Sequence, residues 1–94
     1  MSFRNERNSL EGMHIAILES GGANSSALEE GATTARNILR KLSAEQLERL
    51  TLEQREYRES LLQRYTELPD EASGLRWRRR WFEAARELLL PLLD

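Results

Sequence analysis

The chain has 94 residues, no cysteine and one histidine, and its 14 basic residues nearly balance its 16 acidic residues, giving a formal net charge of −2. A chain of this length without internal repeats predicts one domain over residues 1–94. The charge balance argues against general attraction to nucleic acid, and the lack of cysteine excludes disulfides, thiolate nucleophiles and sulfur-ligated metals. We therefore expect no cofactor and no metal.

The apolar side chains are mostly Leu and Ala, which favour helices over sheets. The longest apolar run near the start covers only residues 15–18. That run is too short for a signal-peptide core or a membrane span, so we expect a soluble cytoplasmic protein with no membrane contact. Composition thus predicts an all-α fold.

The N-terminal segment allows two interpretations. We expect residues 1–7 to be flexible. Beyond them Leu10, Met13 and Ile17 recur at helical spacing behind a possible Asn8 cap, which favours a helix. The β-branched stretch at residues 14–18 equally suits a short strand.

The clearest helix is predicted over residues 27–42. Ser26 and Glu29 have the spacing of a capping box, in which each side chain satisfies a free backbone N–H group. Residues 21–25 precede it as a connecting loop. One face of this helix is apolar, and its members are Leu28, Ala32, Ala35, Ile38, Leu39 and Leu42.

Two further capping boxes follow, at Ser43 with Gln46 and at Thr51 with Gln54. They predict a short helix over residues 44–50 and another over residues 52–68, unless the two merge into one long bent helix. The second carries a stripe that we expect to face the core: Tyr57, Leu61, Tyr65 and Leu68.

The last helix is predicted over residues 75–90, after a connecting loop at residues 69–74 and before Pro91. Trp77 and Trp81 fall within its broad apolar arc, so we expect both tryptophans to face the core. Most of the arginines fall on the opposite side. Since base stacking needs aromatic rings on the charged face, this separation argues against nucleic-acid binding.

These elements predict a compact all-α bundle of four or five short helices, with its core formed by the helices at 27–42, 52–68 and 75–90. Arg78 projects into the apolar arc, where a guanidinium must meet a carboxylate, reach solvent or anchor a partner. Arg and Trp are also common among residues that dominate binding energy. The predicted partner-binding set is Arg76, Arg78, Arg79, Arg80 and Arg86.

The final leucines exceed what one helix stripe can bury in a small bundle. They predict self-association through the C-terminal helix, with a homodimer as the favoured oligomer. The alternative is a tail that wraps over the chain's own core. The residues assigned to self-association are Leu88, Leu89, Leu92 and Leu93.

The glycine-rich stretch before the second helix is the strongest small-ligand signal. If residues 14–18 were a strand, the stretch would join strand to helix as phosphate-binding loops do. It lacks the G-x-G-x-x-G spacing and the G-K-[ST] ending, and a plain connection between helices is the favoured interpretation. The alternative ligand set is Gly21, Gly22, Asn24, Ser25, Ser26 and Arg36, with His14 as a second source of charge.

The sequence places no nucleophile beside a base, so we expect no enzymatic activity. His14 is a candidate general base or pH sensor because histidine titrates near neutrality, but a partly buried helix residue is the favoured interpretation. The leading hypothesis is a non-catalytic protein–protein interaction module: an adaptor, regulator or inhibitor, a class that also fits a small viral inhibitor. The alternatives are a sponge for phosphate-containing metabolites or nucleotides, and nucleic-acid binding by the basic face.

Overall fold

Five α-helices follow one another in a computed structural model that describes residues 4–20, 25–67 and 74–93. The described residues contain no strand, which confirms the predicted all-α bundle and shows residues 14–18 to be helical. A short 3-10 turn, Leu90–Leu92, follows the last helix. The helices are α1 (Arg4–Glu19), α2 (Ser25–Arg40), α3 (Ala44–Glu48), α4 (Leu52–Thr66) and α5 (Gly74–Leu89).

Two of the three predicted capping boxes are present. The Ser43 hydroxyl accepts from the Gln46 backbone N–H at 3.1 Å, and the Gln46 side chain accepts from the Ser43 N–H at 2.9 Å. Thr51 and Gln54 repeat the arrangement at 3.1 and 2.9 Å. Because the second capping box begins a new helix after Thr51, α3 and α4 are separate helices.

Some boundaries differ from the predicted ones. α1 begins at Arg4, so residues 4–7, which we expected to be flexible, are helical. α2 begins at Ser25, which places Ser26 inside the first turn instead of at the cap. The predicted loops at residues 21–25 and 69–74 fall largely outside the described residues, as does Leu68.

The centre of the core is the contact between α2 and α5. Phe82 is fully buried on α5 and lies against Gly31, a buried helical residue of α2. A Cβ at position 31 would lie 2.9 Å from Cε1 of Phe82, closer than such atoms normally approach. Gly31 therefore leaves the space that the Phe82 ring occupies.

The third helix of the core is α1, and the prediction that residues 52–68 would fill this role is wrong. Leu10 and Ile17 of α1 are fully buried, whereas Leu61 is the one buried residue of α4. Tyr57, predicted to face the core, is 39% exposed, and Leu52 is 73% exposed. The side chains of α4 are mostly polar or charged, and its apolar stripe is narrow.

Polar side chains also attach α4 to its neighbours. Arg58 donates from Nε to the Leu39 carbonyl oxygen at 2.8 Å, and Arg55 donates from Nε to the Leu47 carbonyl oxygen at 2.9 Å. These two carbonyls belong to the last turns of α2 and α3, where helices leave backbone acceptors unpaired. The arginines of α4 thus donate hydrogen bonds to backbone carbonyls at the C-terminal ends of the two preceding helices.

The C-terminal leucines are buried within one chain. Four of them pack into the same core as α1, α2 and α5: Leu88, Leu89, Leu92 and Leu93. Two side chains of the α3 region fix this tail, since Gln46 Nε2 donates to the Leu92 carbonyl oxygen at 3.3 Å and Arg49 donates to that of Pro91 at 2.6 Å. The wrapped tail is therefore what the structure shows, and the argument for self-association through these leucines is lost.

Candidate functional site

The two tryptophans of α5 lie in different environments. Trp81 is 4% exposed, as predicted, but Trp77 is 51% exposed, so the prediction that both face the core is wrong for Trp77. Trp77 precedes Trp81 by one helical turn and lies at the edge of the apolar arc, whose buried centre is held by Phe82 and Ala85. A helical projection shows that a residue lies within a broad apolar arc, but it does not show whether the residue is at the buried centre of that arc or at its exposed edge.

Trp81 is a structural residue. Its indole Nε1 donates to the Leu61 carbonyl oxygen at 2.6 Å, and its ring meets the Tyr65 ring edge-on with centroids 5.0 Å apart. The Arg36 guanidinium lies over the other aromatic ring, 4.9 Å from the Tyr65 centroid. This cluster joins α2, α4 and α5, so neither Trp81 nor Arg36 is available as a free binding group.

Trp77 instead shares an exposed face with two arginines. The Arg80 guanidinium lies 5.4 Å from the centroid of the Trp77 ring, within the range of a cation–π interaction. Arg76, the residue before Trp77, is exposed, as is Arg80. We call Arg76, Trp77 and Arg80 the Arg–Trp surface.

The other predicted partner-binding arginines are less available. Arg86 donates to Glu11 Oε1 from two nitrogens, at 2.8 and 2.7 Å, and so ties α5 to α1. Arg79 meets Glu83 on its own helix at 3.4 Å. Arg78 is half-buried and has interactions of its own. The structure thus brings Arg80 together with Trp77, leaves Arg76 exposed in the same turn of α5, and assigns Arg86 to the fold.

Positive charge is concentrated at the start of α5. Residues 74–80 include four arginines and no acidic residue, and the first carboxylate of the helix is that of Glu83. A helix N-terminus adds a partial positive charge of its own. The Arg–Trp surface is therefore a local basic area on a chain whose net charge is negative.

The described residues of the predicted phosphate site are not brought together. Gly21, Gly22 and Asn24 lie outside the described residues. Ser25 and Ser26 are exposed in the first turn of α2, but Arg36 is ten residues further along, about 15 Å at the rise of an α-helix, where it stacks on Tyr65. His14 lies half-buried on α1 with its ring 6.3 Å from that of Phe82. A phosphate held by the serines would not reach Arg36.

The rest of the described surface offers little chemistry. A depression of about 370 Å³ between α1, α2 and α3 includes Glu6, Lys41 and Gln46 in its lining. Gln46 already uses its side chain on Ser43 and Leu92. Within the described ranges, no group of three His, Asp or Glu side chains could hold a metal. No helix there is long and apolar enough to cross a membrane.

The Arg–Trp surface is thus the most distinctive exposed feature of the described chain. The sequence carried one signal for it that the helical projection obscured: an aromatic residue followed at i+3 by an arginine, the spacing at which two side chains meet on a helix. No protein-family model matches this chain, and neither a curated protein nor a solved structure does so.

Proposed function

We propose that the protein is a non-catalytic interaction module of the cytoplasm, an adaptor, regulator or inhibitor that binds a partner protein through the Arg–Trp surface. The observation that carries this proposal is the half-exposed Trp77 ring with the Arg80 guanidinium against it. Trp and Arg are the residues most enriched among those that dominate the energy of protein–protein interfaces.

The contact between Arg80 and Trp77 also favours binding. The Arg80 guanidinium restricts the Trp77 ring, and side chains that are already held lose less conformational entropy when a partner arrives. The opposite face of α5 is fixed in the core by Phe82 and Leu89, both fully buried. Trp77 therefore projects from a helix whose position does not depend on the partner.

Affinity capture from extracts of the source cells tests this proposal. The unchanged protein, Trp77→Ala and Leu52→Ala serve as the three baits, and the captured proteins are compared by quantitative mass spectrometry. We expect Trp77→Ala to lower recovery of the specific partner at least about tenfold, the loss typical of a dominant interface residue. Leu52→Ala is the control, since Leu52 is an apolar side chain on α4 that is more exposed than Trp77. Equal recovery of every captured protein by all three baits would contradict the proposal.

A second candidate function is binding of single-stranded nucleic acid, which the exposure of Trp77 favours. A base stacked on Trp77 would lie close to Arg80, and aromatic stacking beside cationic groups is the usual basis of such binding. Fluorescence anisotropy of a labelled oligothymidylate tests it. Specific binding requires a loss of affinity between about 50 and 200 mM salt and a further loss in Trp77→Ala.

A further inference from the structure

The partner's chemistry can be inferred from the size of the basic area. From Gly74 to Arg80 the helix rises only about 10 Å. On the same helix this stretch is followed by Glu83 and the exposed Glu87, and α4, which contacts α5 through Trp81, ends beside the exposed Glu67. The basic area is therefore short and bordered by carboxylates.

The charges within that area are not equally available. Arg79 already meets Glu83 at 3.4 Å, and Arg78 is half-buried with interactions of its own. Arg76 and Arg80 remain exposed one helical turn apart, and Trp77 lies to one side of them with Arg80 against its ring. A complementary ligand therefore needs negative charge for both arginines next to an apolar group.

A long polyanion fits this arrangement poorly. A nucleic-acid strand carries one phosphate per nucleotide, so a strand longer than the basic area would continue over Glu83, Glu87 or Glu67 and be repelled there. A protein segment has no such requirement, since its carboxylates can be confined to a few residues. Its apolar side chain would cover the exposed part of Trp77.

We propose, on the basis of the proposed function, that the Arg–Trp surface recognises a short acidic protein segment with an apolar or aromatic side chain next to its carboxylates. The carboxylates bind Arg76 and Arg80 by charge-assisted hydrogen bonds, which arginine forms in a planar, paired geometry. The apolar side chain packs on Trp77. The surface therefore selects segments that carry both negative charge and an apolar side chain.

The indole N–H signals of the two tryptophans provide the measurement, because Trp81 donates to Leu61 inside the fold while Trp77 is exposed. The protein labelled with ¹⁵N is titrated with a short synthetic peptide of Glu and Asp around a central Leu-Phe pair. We expect the Trp77 indole signal to shift and that of Trp81 to stay. Replacing Leu-Phe by Ala-Ala, or the acids by lysines, should each weaken binding at least about tenfold.

A matched variant pair locates the effect. Arg76→Glu with Arg80→Glu should abolish the shift, whereas Arg64→Glu should preserve it. Arg64 lies 5.7 Å from the centroid of the Tyr57 ring and so forms a similar exposed cation–aromatic pair on α4. Equal loss in both variants would mean that net charge, not the Arg–Trp surface, attracts the peptide, and would overturn the inference.

The remaining outcomes separate this inference from the function on which it rests. Binding of a short oligothymidylate with a Trp77 shift, but of no peptide, would overturn the inference in favour of nucleic acid. If no peptide binds while cellular capture still depends on Trp77, the interaction function stands and the acidic segment is wrong. If capture does not depend on Trp77 and no peptide binds, both proposals fail.

Discussion

The helices α4 and α5 carry similar side chains but are held in the fold by different forces. Each has an exposed aromatic ring with an arginine against it, Tyr57 with Arg64 on α4 and Trp77 with Arg80 on α5. α5 is held by buried apolar side chains, with Phe82 at the centre of the core. α4 buries only Leu61 among its own residues, and hydrogen bonds from its arginines to backbone carbonyls add to its attachment.

This difference shows that the arrangement of side chains around a helix matters more than their kinds. The apolar residues of α5 fall on one face, where contact with α2 removes them from water. In α4 the apolar stripe is narrow, and two arginines add contacts with backbone carbonyls of α2 and α3. Since few apolar contacts hold it, α4 is the element that we expect to open most easily by local unfolding.

The largest effect is expected from Phe82→Ala on α5. The substitution removes a fully buried ring at the centre of the core and leaves a cavity, which should lower the free energy of unfolding by about 3–5 kcal/mol. Chemical denaturation monitored by circular dichroism measures it. Tyr57→Ala on α4 is the matched control, and a loss there as large as that at Phe82 would remove the contrast between the two helices.

The second prediction concerns the glycine that faces Phe82. Gly31→Ala places a methyl group 2.9 Å from a ring that has no room to move, so the strain should exceed the gain in helix propensity and destabilise the fold by about 1–2 kcal/mol. Gly12→Ala on α1 is the control, because no atom lies within 4 Å of its added Cβ. Gly12→Ala should stabilise by up to about 1 kcal/mol. Effects of the same sign would contradict this account.

The third prediction tests the polar attachment of α4. Arg58→Ala removes the donor to the Leu39 carbonyl and should cost about 1–2 kcal/mol. Hydrogen exchange should accelerate in α4 more than in α2 or α5. Arg64→Ala, which removes an exposed arginine bound to Ser60 within α4, should leave the exchange pattern unchanged. Uniform acceleration across all helices would mean that α4 does not open separately.

The smallest effect is expected from the polar contact of α5. Arg79→Ala breaks an exposed pair with Glu83 within one helix, and such pairs contribute about 0.5 kcal/mol or less. Thermal unfolding should therefore be nearly unchanged. A loss comparable to that of Arg58→Ala would show that hydrogen-bonded arginines hold α5 as much as α4.

The sequence predicted most of the fold because its strongest signals are local. The capping boxes at Ser43 and Thr51 depend on residues three apart, and both are present. The apolar face of α2 was also correct, since Leu28, Ala32 and Leu39 are fully buried. What failed was the choice of the third core helix, because the tyrosines of α4 resemble a stripe while their burial depends on neighbours that no single-helix pattern contains.

The candidate site was predicted in part for the same reason. Arg76 and Arg80 were correctly placed on the exposed side of α5, but the exposure of Trp77 depends on where the arc of contact with other helices ends. The C-terminal leucines were predicted to contact a second copy of the chain, because no local sequence pattern shows that the tail folds back onto the core of its own chain. Gln46 and Arg49, which fix that tail, lie more than forty residues before it.

The contact between Gly31 and Phe82 also bears on how fast the chain folds. It joins positions about fifty residues apart, so its formation must close a long loop, at an entropic cost that grows with the logarithm of loop length. The individual helices can form within microseconds from local interactions. We therefore expect closure of this loop to set the folding rate. The Phe82 ring should pack against Gly31 late in folding, after α2 and α5 have formed.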